Sequence, residues 1–256
     1  MCNYWPLPVR CFAARSAGAF NFRRKRSRMF GRIKKWIALA QEAVQGGGEL
    51  DQIEAWAAVQ GFAFEPSEIA GNFALAGKFG GYSWRLQRMQ TDRDFIVGTE
   101  LRVRADVSVD PGIAIMLINR PLKEALEQRA FEQVTHGVQT MVDTDLPEEA
   151  RWLALYDQVG WSSAPLEFWD RYAIMAETRG QAQQWLEGPL LPLLMDWPTP
   201  AVQQMTPFIL RLHHGRVELR MEYSQADLAT LEHVCKLFLQ ACISAQALVA
   251  DGAQYR

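Results

Sequence analysis

The sequence predicts an α+β fold: an antiparallel sheet built from hairpins, with helices segregated on one face and a long C-terminal helix. Three observations carry this expectation. "ELRVRADVSV" (100–109) alternates strictly, placing Leu101, Val103, Ala105, Val107 and Val109 on one side and Arg102, Arg104 and Asp106 on the other. That period of two marks a half-buried antiparallel strand. "FILRL" (208–212) and "RVELRMEY" (216–223) flank "HHG" as a hairpin, and a long amphipathic segment follows it. Helical stretches fall between hairpins instead of alternating with single strands, which argues against parallel βαβ units.

Taken in order, Ile33, Trp36, Ile37, Ala40 and Val44 form one face of a first short helix, ended by the glycines at 46–48. A second helix is expected from about Leu50 to Gln60. "YSWRLQ" (82–87) puts Tyr82, Trp84 and Leu86 on one face of a strand, and "TDRD" turns the chain into the 100–109 strand. "IAIMLI" (113–118) reads as a fully buried strand and "RPLKEALEQRAFEQ" (120–133) as a helix. Asp145, Pro147 and Glu148 have the spacing of a capping box at a further helix start. "FWDRYAIMAET" (168–178) is expected as a strand, "GQAQQWLEGPLLPLL" as a helix broken near Gly188-Pro189, and 196–207 as a loop. In the final hairpin Phe208, Leu210, Leu212, Val217, Leu219, Met221 and Tyr223 share the inner face. Ser224 and Asp227 then cap a helix whose stripe runs through Leu228, Leu231, Cys235, Phe238, Cys242, Ala245 and Val249. Residues 29–256 are expected as one domain, with sub-lobes at 61–135 and 150–250.

Composition is that of an ordinary globular protein, but charge is unevenly spread. Ten of the 27 basic residues and none of the 29 acidic ones lie in residues 1–41, so the remainder carries 17 basic against 29 acidic side chains. Residues 21–36 alone hold eight Lys or Arg. Residues 1–28 read either as a basic, disordered leader or as a stretch upstream of a start at Met29. A nucleic-acid arm is disfavoured by the acidic remainder and the absence of a recognition motif. Peripheral membrane contact through 29–44 has the right residues, yet the same apolar face serves any helix docking on a core, and it too is disfavoured. No apolar run reaches the length of a membrane span, and no secretory signal pattern is present. Cys235 and Cys242 sit two helical turns apart, too far to bridge. A reduced, cytoplasmic protein is expected.

The run from "DLPEEARWL" (145–153) through "FWDRYAIMAE" (168–177) to the final hairpin and helix, in a body that begins "MFGRIKKW", resembles an uncharacterised bacterial protein family of unknown function. The likeness is one of pattern and covers about residues 29–250. It implies a bacterial cytosolic protein and brings no activity, cofactor or site residue.

Catalytic motifs are weak. "GNFALAGKFGG" (71–81) lacks phosphate-loop spacing and is expected as a flexible approach to a hairpin. "GWSSAP" lacks the second glycine of a nucleophile elbow. His233 and Cys235 point to different sides of a helix. His213 and His214, at a hairpin tip, are expected as exposed turn residues and not as ligands. Helix capping accounts for Asp143, Asp145, Glu148 and Glu149 without a divalent ion. No metal and no cofactor are expected. Trp152, Trp161, Trp169, Trp185 and Trp197 place five of the nine tryptophans within 46 residues. They read as core, or as the lining of a pocket for an apolar or planar ligand between sheet and C-terminal helix. The leading functional expectation is a non-enzymatic protein that binds an unidentified protein partner or forms a homo-oligomer. A small-molecule binder with that tryptophan pocket is the alternative. An enzyme assembled from scattered groups such as His136, Asp143, Asp145 and Arg179 ranks third.

Overall fold

The computed structural model describes residues 48–136, 147–199 and 205–252. Helix α1 (Glu49–Gln60) opens with Asp51 accepting a hydrogen bond from the Gly48 backbone N–H, and ends at Gly61 in the left-handed region. Four strands follow: β1 (Ala63–Pro66), β2 (Phe73–Phe79), β3 (Tyr82–Gln90) and β4 (Thr99–Asp106). Strand β5 (Ala114–Asn119) leads directly into α2 (Arg120–His136). The chain continues through α3 (Glu148–Leu155), β6 (Gln158–Val159), α4 (Leu166–Arg171), β7 (Tyr172–Ala176), α5 (Arg179–Leu186) and α6 (Leu190–Met195). It closes with β8 (Phe208–His213), β9 (Arg216–Glu222) and the 25-residue α7 (Leu228–Gly252).

The nine strands of the described residues join one sheet in the order β1-β2-β3-β4-β9-β8-β5-β7-β6, and every pairing is antiparallel. The expected α+β class, with its long C-terminal helix, is what the chain forms. The β8–β9 hairpin inserts between β4 and β5, so residues of both expected sub-lobes build a single sheet. Its two-residue turn, His214-Gly215, has φ of 50° and 70°, the conformation whose twist suits adjoining antiparallel strands.

Alternation along each strand produces two different faces. On the first, Leu75, Leu86, Val103, Leu219, Leu210, Leu117 and Ile174 are fully buried in the main core, beneath α1, α4, α5, α6 and α7. Helix α7 presents Leu231, Val234, Leu237, Phe238, Ala241 and Ala245 to this layer, a fuller stripe than heptad spacing alone suggests. Asp227 caps it, accepting from the backbone N–H groups of Ala229 and Thr230 at 3.1 Å each. On the second face, only the β5, β7 and β8 half is apolar. There Met116, Ile118, Ala173, Met175 and Ile209 pack with Leu122 and Leu126 of α2 and Trp152 of α3. Two helices on this side therefore add to the single helical layer that the sequence suggested.

Three expectations need correction or placement. Residues 71–81 are not a loose approach: β2 pairs with β3 from Phe73↔Arg88 to Phe79↔Tyr82. The glycine that argued for a loop is there for packing, because a Cβ at Gly77 would stand 2.7 Å from the Trp84 indole nitrogen. Residues 168–171 are helical, not extended. Pro165 precedes α4, and the four-residue spacing of Phe168 and Tyr172 sends both rings into the core, 5.4 Å apart. The expected helix over Ile33–Val44, the basic leader, and Asp143 and Asp145 lie outside the described residues. No described helix is long and apolar enough to cross a membrane.

Candidate functional site

The other half of the second sheet face, over β3, β4 and β9, is charged. Register sets the rows. Arg85 lies opposite Arg104, and Arg104 opposite Glu218, which lies opposite Arg211. In the next row Gln87 lies opposite Arg102, and Arg102 opposite Arg220. One row further, Glu100 faces Glu222. Three of these cross-strand pairs are like-charged, an arrangement that destabilises a sheet unless other groups compensate.

Compensation comes diagonally. Glu218, with its side chain 6% exposed, accepts from Arg102 Nε on Oε1 and from Arg211 Nη2 on Oε2, both at 2.6 Å. Arg220 is buried and donates through Nη1 to Asp92 at 2.9 Å and to both Glu100 oxygens at 3.2 Å. Thr91, in the β3–β4 loop, also donates to Glu100. Arg93 from the same loop pairs with Glu149 at 3.0 Å and with Glu148 at 3.7 Å, and Arg211 also reaches Glu148. The ladder thus ties α3 and the β3–β4 loop to the centre of the sheet.

Burial alone would raise the pKa of Glu218, but the guanidinium groups of Arg211 and Arg102 outweigh it and hold the carboxyl below its ordinary range. For Asp92, burial likewise pushes upward, and Arg220 then draws it below the ordinary value. At the hairpin tip, burial and the neighbouring His214 and Arg211 lower the pKa of His213. Its ring meets Trp152 edge-on at 4.9 Å, so it is packed, while His214 is exposed as expected.

Beside Arg85 the ladder opens into a groove of about 370 Å³ between β3 and the 67–72 loop, lined in part by Gln87, Met89, Ser67 and Asn72.

The tryptophans singled out from sequence divide between the two faces. Trp152 lies on the second face, with Tyr156 at 4.5 Å and the Arg211 guanidinium 5.8 Å from its ring centre. The other four belong to the first-face core. Trp161 and Trp169 meet edge-to-face at 5.1 Å. Trp185 is fully buried, and its indole N–H donates to the Ala241 carbonyl of α7 at 2.9 Å. Trp197 donates to the Tyr172 hydroxyl, which donates in turn to the Leu194 carbonyl. Burial, partly offset by the Trp197 hydrogen bond, pushes the Tyr172 phenol up to about 12.

Other sequence candidates disperse. Glu148 and Glu149 are engaged by arginines, Arg179 is exposed at the start of α5, and His233 donates through Nε2 to the Leu193 carbonyl at 2.8 Å. Cys235 and Cys242 are buried, unbridged thiols on α7. Among the described residues no group of three or more His, Cys, Asp or Glu side chains is placed to hold a metal ion. Sequence reasoning missed the ladder itself. Its signal was present in "RLQR", "LRVR" and "VELR", where charge occupies the non-core position of three strands, but pairing them required the β4–β9 register.

Fold and site together define a class: an antiparallel α+β protein with one sheet face sealed by helices and the other part apolar, part arginine–carboxylate ladder. No family model matches the chain, and no curated protein matches it. Among solved structures, the crystal structure of the mycobacterial trehalose monomycolate transport factor A, TtfA, aligns with 75% of this chain and 90% of that one, at 9% identity and a TM-score of 0.41. At that level the likeness carries nothing about function.

Proposed function

We propose that this chain is a non-enzymatic, cytoplasmic bacterial protein whose work is to bind another protein or a second copy of itself, through the charged half of its second sheet face. The observation that carries the reading is the contrast between the two faces. The first is buried under five helices, α1 and α4 to α7. On the second, Arg85, Gln87, Arg102 and Arg104 keep partial exposure beside an open groove, while the acidic groups beneath them are buried. Polar, arginine-rich surface on a rigid sheet suits recognition by complementary charge, which favours specificity and fast association. The two buried, unbridged thiols on α7 are compatible with a reducing interior.

Native mass spectrometry of the protein purified from its own cells tests this reading. A mass equal to one chain plus a second polypeptide, or to a multiple of the chain, supports it. A bare single chain overturns it. A single chain carrying a few hundred extra daltons also overturns it, in favour of a small ligand beneath the tryptophans.

A further inference from the structure

Resting on the protein-binding reading, we propose that the partner presents an acidic segment whose carboxylate pairs with Arg104. Arg104 lies directly opposite Arg85 on β3 and directly opposite Glu218 on β9. The register therefore offers it one carboxylate, and that carboxylate is taken. Both Glu218 oxygens are committed at 2.6 Å, Oε1 to Arg102 and Oε2 to Arg211. The nearby Glu65 is held by Arg85, with Oε2 at 2.7 Å. Asp106, two residues along the same face, pairs with Arg216 at 2.7 Å. What remains to Arg104 is a 3.3 Å hydrogen bond from Nη2 to the Gln87 side-chain oxygen.

Among the described residues of this face, Arg85, Arg102, Arg211, Arg216 and Arg220 each pair with a carboxylate, and Arg104 does not. A half-buried guanidinium facing a second arginine across a strand pair is unfavourable for the chain by itself. It is favourable in a complex that supplies the missing anion, because a guanidinium fork pairs with a carboxylate in two parallel hydrogen bonds. Arg85 stands alongside, already paired with Glu65, and the groove beyond it leaves room for the chain that carries the carboxylate. The remainder of the protein is acidic, so this cluster is a local exception in its field.

The test titrates the full chain with a fluorescent decapeptide of alternating Glu and Ser. Wild type is expected to bind in a salt-sensitive manner. Arg104→Gln is expected to weaken binding about 10-fold or more, the usual effect of losing a charged hydrogen-bond pair. Lys236→Gln, exposed on α7 over the opposite face of the sheet, is expected to bind as wild type does. Thermal unfolding supplies a second readout: Arg104→Gln should raise Tm or leave it unchanged, since it relieves the Arg85–Arg104 pair.

Three results would overturn the proposal: no binding by wild type, equal binding by Arg104→Gln, or a marked fall in its Tm, which would make Arg104 structural. Displacement of the peptide by millimolar inorganic phosphate at constant ionic strength would also overturn it, making the site one for a small anion. The native mass of the protein does not depend on the peptide, so the broader reading stands or falls separately.

Discussion

Replacing Glu218 with Gln removes the negative charge at the hub of the ladder. In the native protein that carboxylate serves Arg102 and Arg211 at 2.6 Å and lies 3.5 Å from Arg220 Nε. Removing one partner of a buried ion pair typically costs about 3–5 kcal/mol, because the other charge is left uncompensated. Here the cost is partly relieved. Arg211 retains Glu148, and Arg220 retains Glu100 and Asp92, while Arg102 loses its carboxylate but is 25% exposed and can recruit water. We therefore expect a loss of about 2–3 kcal/mol, below the full range. Urea unfolding at pH 7 measures it through a lower midpoint at unchanged slope.

The pH dependence fixes the mechanism. Glu218 has a folded pKa below its unfolded value, so its contribution is complete above about pH 4.3 and is lost as pH falls through the lower folded value. The gap between wild type and Glu218→Gln should thus be constant from pH 6 to 8 and close under acid conditions. A loss under about 0.5 kcal/mol, the size of an ordinary surface substitution, would refute the reasoning. So would a gap that persists once acid has protonated Glu218 in the wild type.

Other outcomes follow from the same packing. Trp185→Phe should cost about 1–3 kcal/mol, from the lost bond to Ala241 and the space left under α7, read by the same urea titration. Gly77→Ala should destabilise by about 1–3 kcal/mol, since its methyl would meet the Trp84 indole at 2.7–2.8 Å, and the near-ultraviolet circular dichroism of that tryptophan should change. Burial pushes the Cys235 and Cys242 thiols up to about 12, so neither should react with iodoacetamide at pH 8 until the protein is unfolded, as peptide mass mapping would reveal.

Much of the architecture could be read from period and turn chemistry. The strict alternation of 100–109 and the final hairpin reappear as β4, β8 and β9, and Asp227 caps α7 as its spacing predicts. What escaped was governed by partners distant in sequence. Gly77 looks like a loop residue until Trp84 lies over it, and "FWDR" looks extended until Phe168 and Tyr172 turn together into the core. The tryptophans were legible as buried groups. Their division between faces was not, since Trp152 reaches the second face through α3. The arginines of 85–104 were legible as a polar face. That Glu218 would serve Arg102 and Arg211 and leave Arg104 aside depends on side-chain direction across β4 and β9, which no single-strand pattern contains.

The most direct test of protein binding at the charged half-face is photo-crosslinking in living cells. A photoreactive residue would replace Gln87 on that face, with a control at Glu167, which is exposed on α4 over the opposite layer. The account predicts a discrete protein adduct from position 87, either another polypeptide or a second copy, and none from position 167. Adducts from neither position, or equally from both, would contradict it.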